Sequence, residues 1–165
     1  MKSKGGVRFA NANDWQKVSH IYNEIIDERV ATLNIEHNTD TDVSQWVNEG
    51  IFLVYYIDEN IAGFIRSFPY RDRKCYSGIS QFSVYVSKKF RRMGVGDSLL
   101  KKLIDELKDN DCWKLVSRVF IENLGSRKLL FNHGFREVGI YEKHGKLDDK
   151  WKDVVIVEYI ISPKI

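Results

Sequence analysis

The chain reads as an α/β (α+β) protein: a mixed central sheet of about seven strands with helices on both faces. Three observations predict this. The hydrophobic period switches between about 2 and about 3.6 residues in the order strand, two helices, three strands, helix, strand, helix, two strands. No linker, low-complexity stretch or internal repeat interrupts that order. A bend rich in glycine and arginine, Arg91-Arg92-Met93-Gly94-Val95-Gly96, stands where a strand feeds a helix.

Val7 to Ala10 is the first expected strand. Asn13 is the expected cap of the first helix, with Gln16 as its capping-box partner. Trp15, Val18, Tyr22, Ile25 and Ile26 then recur at helical spacing. Asp27 to Thr39 is polar and irregular, a substrate-side loop. Thr41 caps a short helix holding Val43, Trp46 and Val47. Phe52 to Ile57, a turn at Asp58-Glu59-Asn60, and Ile61 to Phe68 form a hairpin. Ile79 to Val86 is the strand before the bend. Leu99, Leu100, Leu103, Ile104 and Leu107 mark the buried face of the helix after it. Leu115 to Ile121 is a strand, and the Asn123 segment a helix. Arg136 to Tyr141 and Trp151 to Ile161 close the sheet around a polar tip, Lys143 to Lys150.

The composition fits one soluble domain. The chain has 165 residues, 43% hydrophobic and 30% charged, enough for a real core. Residues 7–165 are expected to form it, while Met1 to Gly6 carry no structural pattern and are expected to be a frayed, disordered end. Lys plus Arg is 26 against 23 for Asp plus Glu, a net charge of +3 that is too even for a nucleic-acid partner. Basic residues concentrate only at Arg71–Lys74 and Lys88–Arg92, the second beside the bend. Cys75 and Cys112 have neither metal-ligand nor disulfide spacing, so no metal is expected and both read as reduced thiols of a cytoplasmic protein. No run is long and apolar enough to suggest a membrane span.

The chemistry begins at the bend. Unpaired main-chain N–H groups and the positive end of a helix dipole attract anions. Glycine lets the backbone approach the ligand, and arginines add charge. A nucleoside-triphosphate loop needs Lys after its second glycine, and Asp97 stands there. A dinucleotide loop needs a third glycine where Leu99 stands. A coenzyme A pyrophosphate fits neither objection. Arg91 to Gly96 meets every fixed position of the signature Arg or Gln, two residues, Gly, one residue, Gly or Ala. On these residues the chain resembles the GNAT superfamily of N-acetyltransferases. Asn123-Leu124-Gly125-Ser126 through His133-Gly134-Phe135 is similar to that superfamily's later cofactor-side helix. Within it the chain looks most like the phosphinothricin acetyltransferase group, through Ile21–Glu24, Val30–Leu33, Ser83–Ser87, Gly134–Gly139, Lys143-His144-Gly145, Trp151 and Asp153.

The resemblance implies acetyl-CoA as acetyl donor and a small primary amine, an amino acid or its analogue, as acceptor. It implies main-chain contacts from Val84, Tyr85 and Val86 to the pantetheine arm. The segment Arg91, Arg92, Met93, Gly94, Val95, Gly96, Asp97 and Ser98 would hold the pyrophosphate, with Asn123 and Ser126 opening the later helix against the cofactor. Two positions depart from the family. Gln81 replaces the glutamate proposed as base, and an amide takes no proton at neutral pH. Leu130 replaces the Tyr or His that many relatives place beside the thiolate. The candidates left to carry protons are His144 first, for its titration near neutrality, then Tyr85 and Glu24, with Gln81 orienting a water. A non-catalytic acyl-CoA-binding protein is one rival reading, and an acetyltransferase for a protein or antibiotic amine is another. An aromatic tail with Trp151 and Tyr159 would suit a homodimer face or the core equally.

Overall fold

The expected order of elements is the observed one. The computed structural model describes residues 4–161. Along it run β1 (Gly5–Phe9), α1 (Trp15–Glu28), α2 (Asp40–Gln45), β2 (Phe52–Ile57), β3 (Asn60–Pro69), β4 (Ile79–Val86), α3 (Val95–Lys108), β5 (Lys114–Phe120), α4 (Leu124–Asn132), β6 (Arg136–Leu147) and β7 (Lys150–Ile160). The seven strands form one sheet in the order β1-β2-β3-β4-β5-β7-β6. Every neighbour pair is antiparallel except β4 and β5.

Strand alternation sends successive side chains to opposite faces, and each face is covered. On one, α3 lays Leu99, Leu100, Leu103 and Leu107 over Leu53, Ile65, Phe82 and Leu115. On the other, Val18, Tyr22, Ile26 and Val43 of α1 and α2 pack on Phe52, Val54 and Phe64. A third cluster, Phe120, Leu147 and Val154, lies under Leu33 of the α1–α2 loop. Among the described residues no helix is long and apolar enough to cross a membrane.

Several boundaries differ from expectation, each for a local reason. Gly5 and Gly6 belong to β1 and pair with Ile57 and Tyr56; main-chain pairing needs no side-chain pattern. Met1–Ser3 lie outside the described residues, as do residues 162–165. The first helix is entered through Asn11 and Asp14, not Asn13 and Gln16. The Asn11 side chain accepts from Asn13 N and Asp14 Oδ2 accepts from Asn11 N, and a short 3-10 turn precedes α1. The second helix is capped by Thr39, two residues before Thr41, through a capping box with Asp42. The expected polar tip at Lys143 to Lys150 is mostly strand: β6 and β7 run on to a two-residue turn, Asp148-Asp149, with φ of 48° and 63°. Strand β6 is a sheet edge and nearly all exposed, so no buried face imposed apolar alternation on it. Trp151 is exposed, whereas Tyr159 packs on Phe135 with ring centroids 5.3 Å apart.

Asp14 is the buried charge that fixes β1 against α1. Its oxygens accept from Arg8 Nη1 at 2.7 Å and Nη2 at 2.8 Å and from Asn11 N at 2.8 Å. Burial by itself would push its carboxyl up, but the Arg8 fork and the Asn11 amide outweigh it and hold the group below its ordinary range. A depressed carboxyl stabilises the fold above its unfolded pKa, and that stability is lost as pH falls through the lower folded value. Asp14→Asn should therefore lower unfolding free energy by about 1–3 kcal/mol near neutral pH. The gap to wild type should close in urea titrations run progressively below about pH 4.

Candidate active site

The site begins where two strands part. Strands β4 and β5 pair in parallel only over Ile79–Gln81 against Lys114–Val116. Beyond that, β4 continues with β3 and β5 continues with β7, so a wedge opens between them. Which β4 groups face the wedge follows from the antiparallel ladder with β3. Ser87 N donates to Ala62 O at 2.8 Å, so alternate residues back along the strand bond to β3, and Phe82, Val84 and Val86 turn their main-chain groups the other way. Two contacts agree. Ser117 Oγ donates to Phe82 O at 3.1 Å across the root of the wedge, and Arg91 Nε donates to Val86 O at 3.1 Å at its mouth. The amide and carbonyl of Val84 and the amide of Val86 are left as a short strand edge facing the gap.

The wedge is a cleft of about 460 Å³. Its mouth is the glycine bend. Gly94 is the N-cap of α3 with φ of 76°, a left-handed conformation that a side chain would strain. Val95, Gly96 and Asp97 then present first-turn amides with no intrahelical acceptor, while Ser98 N already donates to Gly94 O. Gly96 also allows α4 to come close, since a Cβ there would lie 3.1 Å from Leu129 Cδ2. At the start of α4, the Asn123 side chain accepts from Ser126 N at 3.2 Å. Both residues line the cleft with Gly125, Leu129 and the buried Leu130.

Helix α1 holds this mouth from outside. Glu24 accepts from Lys88 N at 2.6 Å and Ser87 Oγ at 3.1 Å. One turn on, Glu28 accepts a forked pair from Arg91 at 2.8 and 2.6 Å. The Arg91 fork holds the Glu28 carboxyl below its ordinary range, and Glu28 raises Arg91 in turn. Arg29, left-handed at the end of α1, donates from Nε to Asp148 in the β6–β7 turn at 3.1 Å.

The structure sorts the expected site residues. Val84, Tyr85, Val86, Arg91, Arg92, Gly94, Val95, Gly96, Asp97, Asn123 and Ser126 all line the cleft. Met93 and Ser98 do not: Met93 points to solvent, and Ser98 sits within the first turn of α3. Arg91 lines the cleft, but its guanidinium is taken up by Glu28 and Val86, so its charge serves the loop. Glu24 is a clamp on the main chain of Lys88, away from the cleft lining. Gln81 ends the paired stretch of β4, where its amide donates to Pro69 O at 3.3 Å and Tyr70 O at 3.5 Å, outside the lining. His144 is also outside it, exposed on edge strand β6 with its ring 5.0 Å from that of Tyr141. It falls in the irregular stretch between Tyr141 and Gly145, where β6 loses register with β7 and Lys143 is left-handed, so strand alternation does not set its direction.

Tyr85 is the titratable hydroxyl that does line the cleft. It is half-buried between Tyr22 and Phe64, and burial pushes its phenol up to about 12 against the ordinary 10.0. Bonds to Ser83 and Thr32 only partly offset that. Glu28, Ser117 and Arg118 carry no site signal in the sequence. The first shows only as a helix acid one turn after Glu24, and the others as polar breaks in a strand with apolar neighbours.

A parted parallel pair in a mixed sheet, a glycine bend opening onto a helix N-terminus, and a capped helix across the gap are the features the sequence resemblance leads one to expect of an acyltransferase fold. The chain belongs to the Acetyltransferase (GNAT) family, whose model matches residues 15–135. It is an acetyl-CoA-dependent N-acetyltransferase. It is similar to YwnH of Bacillus subtilis, which carries a provisional phosphinothricin acetyltransferase name, with 30% identity over 156 residues, 92% of this chain and 96% of the relative. It is also similar to a phosphinothricin N-acetyltransferase of Streptomyces coelicolor, 26% identical over 160 residues, 92% of this chain and 94% of the relative. In fold it matches an N-acetyltransferase structure from Staphylococcus aureus with a TM-score of 0.92 at 24% identity, covering 97% of this chain and 100% of that one.

If the α1 clamp pre-shapes the loop, loosening it should weaken cofactor binding without touching the cleft. Glu28→Gln should raise the Kd for coenzyme A about fivefold, near 1 kcal/mol for a partly exposed forked pair. Isothermal calorimetry on wild type, Glu28→Gln and Arg91→Gln checks it. The double variant should lose little more than either single one.

Proposed function

We propose that this chain acetylates the primary amine of a small amino acid or amino-acid analogue, by direct attack on acetyl-CoA lying in the wedge between β4 and β5. The observation that supports it most is the parting of those strands beyond Gln81 and Val116 beside the glycine bend. Phosphinothricin, in the names of both relatives, is itself an amino-acid analogue with a primary amine.

In this reading the amides of Val95, Gly96 and Asp97, with Gly94 and Arg92, receive the pyrophosphate. The strand edge at Val84 and Val86 bonds the pantetheine arm as a further strand would. Asn123 and Ser126 border the same arm. An amide on that edge can also polarise the thioester carbonyl. The acceptor enters over the opposite sheet face, past Val30, Ala31 and Tyr85.

Proton handling follows from what lines the cleft. Asp97 is its one carboxylate among the described residues. It sits at the phosphate end, where its Oδ1 lies 2.9 Å from His133 Nε2. No glutamate, lysine or histidine lines the cleft among those residues. The acceptor amine therefore arrives neutral from solvent and attacks without a side-chain base, and holding the two reactants together supplies much of the acceleration. In this reading Tyr85, its phenol pushed up to about 12, gives its proton to the departing thiolate, and the proton lost by the attacking amine passes through solvent to restore the phenol.

Two measurements follow. A thiol-release assay over amino acids, polyamines and lysine-containing peptides should show the highest kcat/KM on an amino acid, with intersecting initial-rate lines. Turnover confined to peptides or polycationic amines would overturn the acceptor assignment. The pH profile of kcat/KM should climb about tenfold per unit and level off at the pKa of whichever acceptor amine is used. Tyr85→Phe keeps the aromatic packing and should lower kcat by about two orders of magnitude.

A further inference from the structure

We infer that Arg118 is the carboxylate-recognition residue of the acceptor subsite and makes the enzyme select α-amino acids over simple amines. This rests on the proposed acetylation of amino acids and adds the residue that chooses among them. Three observations carry it.

The first is position. Arg118 lies on β5 just past the last pair with β4 and lines the cleft. Its neighbour Val119 packs into the α3 cluster, and Phe120, two residues on, lies under Leu33 on the other face. Alternation therefore places Arg118 on the face of Gln81 and Tyr85, away from α3. That is the face by which the acceptor enters.

The second is that its charge is unspent. The guanidinium groups of Arg8, Arg29, Arg66 and Arg91 each meet a carboxylate. Those of Arg127 and Arg136 do so as well; Arg71, Arg73 and Arg92 do not among the described residues, and of these only Arg92, in the glycine bend, lines the cleft. Arg118 meets none among the described residues. Its Nη1 has only Gln81 Oε1, at 3.5 Å, the outer limit of a hydrogen bond. A planar fork with free donors beside a cleft suits one ligand group above others, a carboxylate bound by two parallel bonds.

The third is Gln81 itself. A carboxylate at this position would pair with Arg118 and cancel its charge. The neutral amide, tied to Pro69 and Tyr70 through its nitrogen, turns its oxygen towards Nη1 and orients the guanidinium without neutralising it. In this chain the amide at position 81 and the cation at position 118 are one arrangement. The fork holds the α-carboxylate, and the adjacent amine is carried towards the thioester.

The test compares L-methionine sulfone, whose side chain is uncharged, with its decarboxylated amine as acceptors. In wild type the amino acid should have the higher kcat/KM. Arg118→Met should reduce the amino acid-to-amine ratio of kcat/KM about tenfold to a hundredfold, mainly through the KM of the amino acid. Arg118→Lys, which keeps the charge and loses the fork, should fall between. Gln81→Glu leaves Arg118 in place but pairs it internally, and should lower the same ratio; it serves as the readout should Arg118→Met fail to fold. An unchanged ratio in Arg118→Met and Gln81→Glu would overturn the inference while leaving amine acetylation standing. A wild type that acetylates neither compound nor any other amino acid would overturn the proposed acceptor class and this inference with it.

Discussion

The arrangement depends on an interruption of main-chain pairing. Strands β4 and β5 hold each other for three residue pairs and then separate, each still supported on its far side by another strand. A strand edge left unpaired inside a protein is unfavourable unless water or a ligand satisfies it. Here Ser117 takes the first carbonyl and Arg91 the last, and the groups between them remain for an extended ligand arm. The cleft is therefore shaped by backbone geometry, with side chains trimming its two ends.

Helix α1 turns that geometry into a coupled site. Its last turns carry Glu24 and Glu28 against the segment leading into the phosphate bend, and Arg29 against the turn of the closing hairpin. The loop that follows is tied back to the same helix: Asn38 N donates to Asn23 Oδ1, and Ser19 Oγ donates to Asn38 O. The glycine bend, the α1–α2 loop and the β6–β7 turn thus share one support in α1. The Glu24 and Glu28 carboxylates are both taken up by partners on the segment Ser87 to Arg91.

How much of this was legible in the chain divides by range. The order of the elements, the two amphipathic helices and the glycine bend were readable because they rest on local periodicity and local backbone demands. The caps were misplaced by two residues at Asn13 and Thr41, since several residues near each start could cap and only the anchoring of Asp14 by Arg8 selects one. Strand β6 was cut short because an exposed edge carries little hydrophobic signal. His144 is the first candidate base by residue type, yet it stands exposed on β6 within the register break between Tyr141 and Gly145, outside the cleft lining.

By itself, then, the sequence determined the fold class, the family and the position of the glycine bend proposed to take the pyrophosphate, all properties of contiguous residues. The tertiary structure alone decided which charges are free. Arg91 is consumed by a glutamate far away in sequence, and Arg118 reaches a cleft in which no carboxylate meets it among the described residues. The physical reason is that a charged side chain's role depends on its nearest opposite charge. That neighbour is set by the packing of α1 and the parting of two strands, which no local pattern encodes.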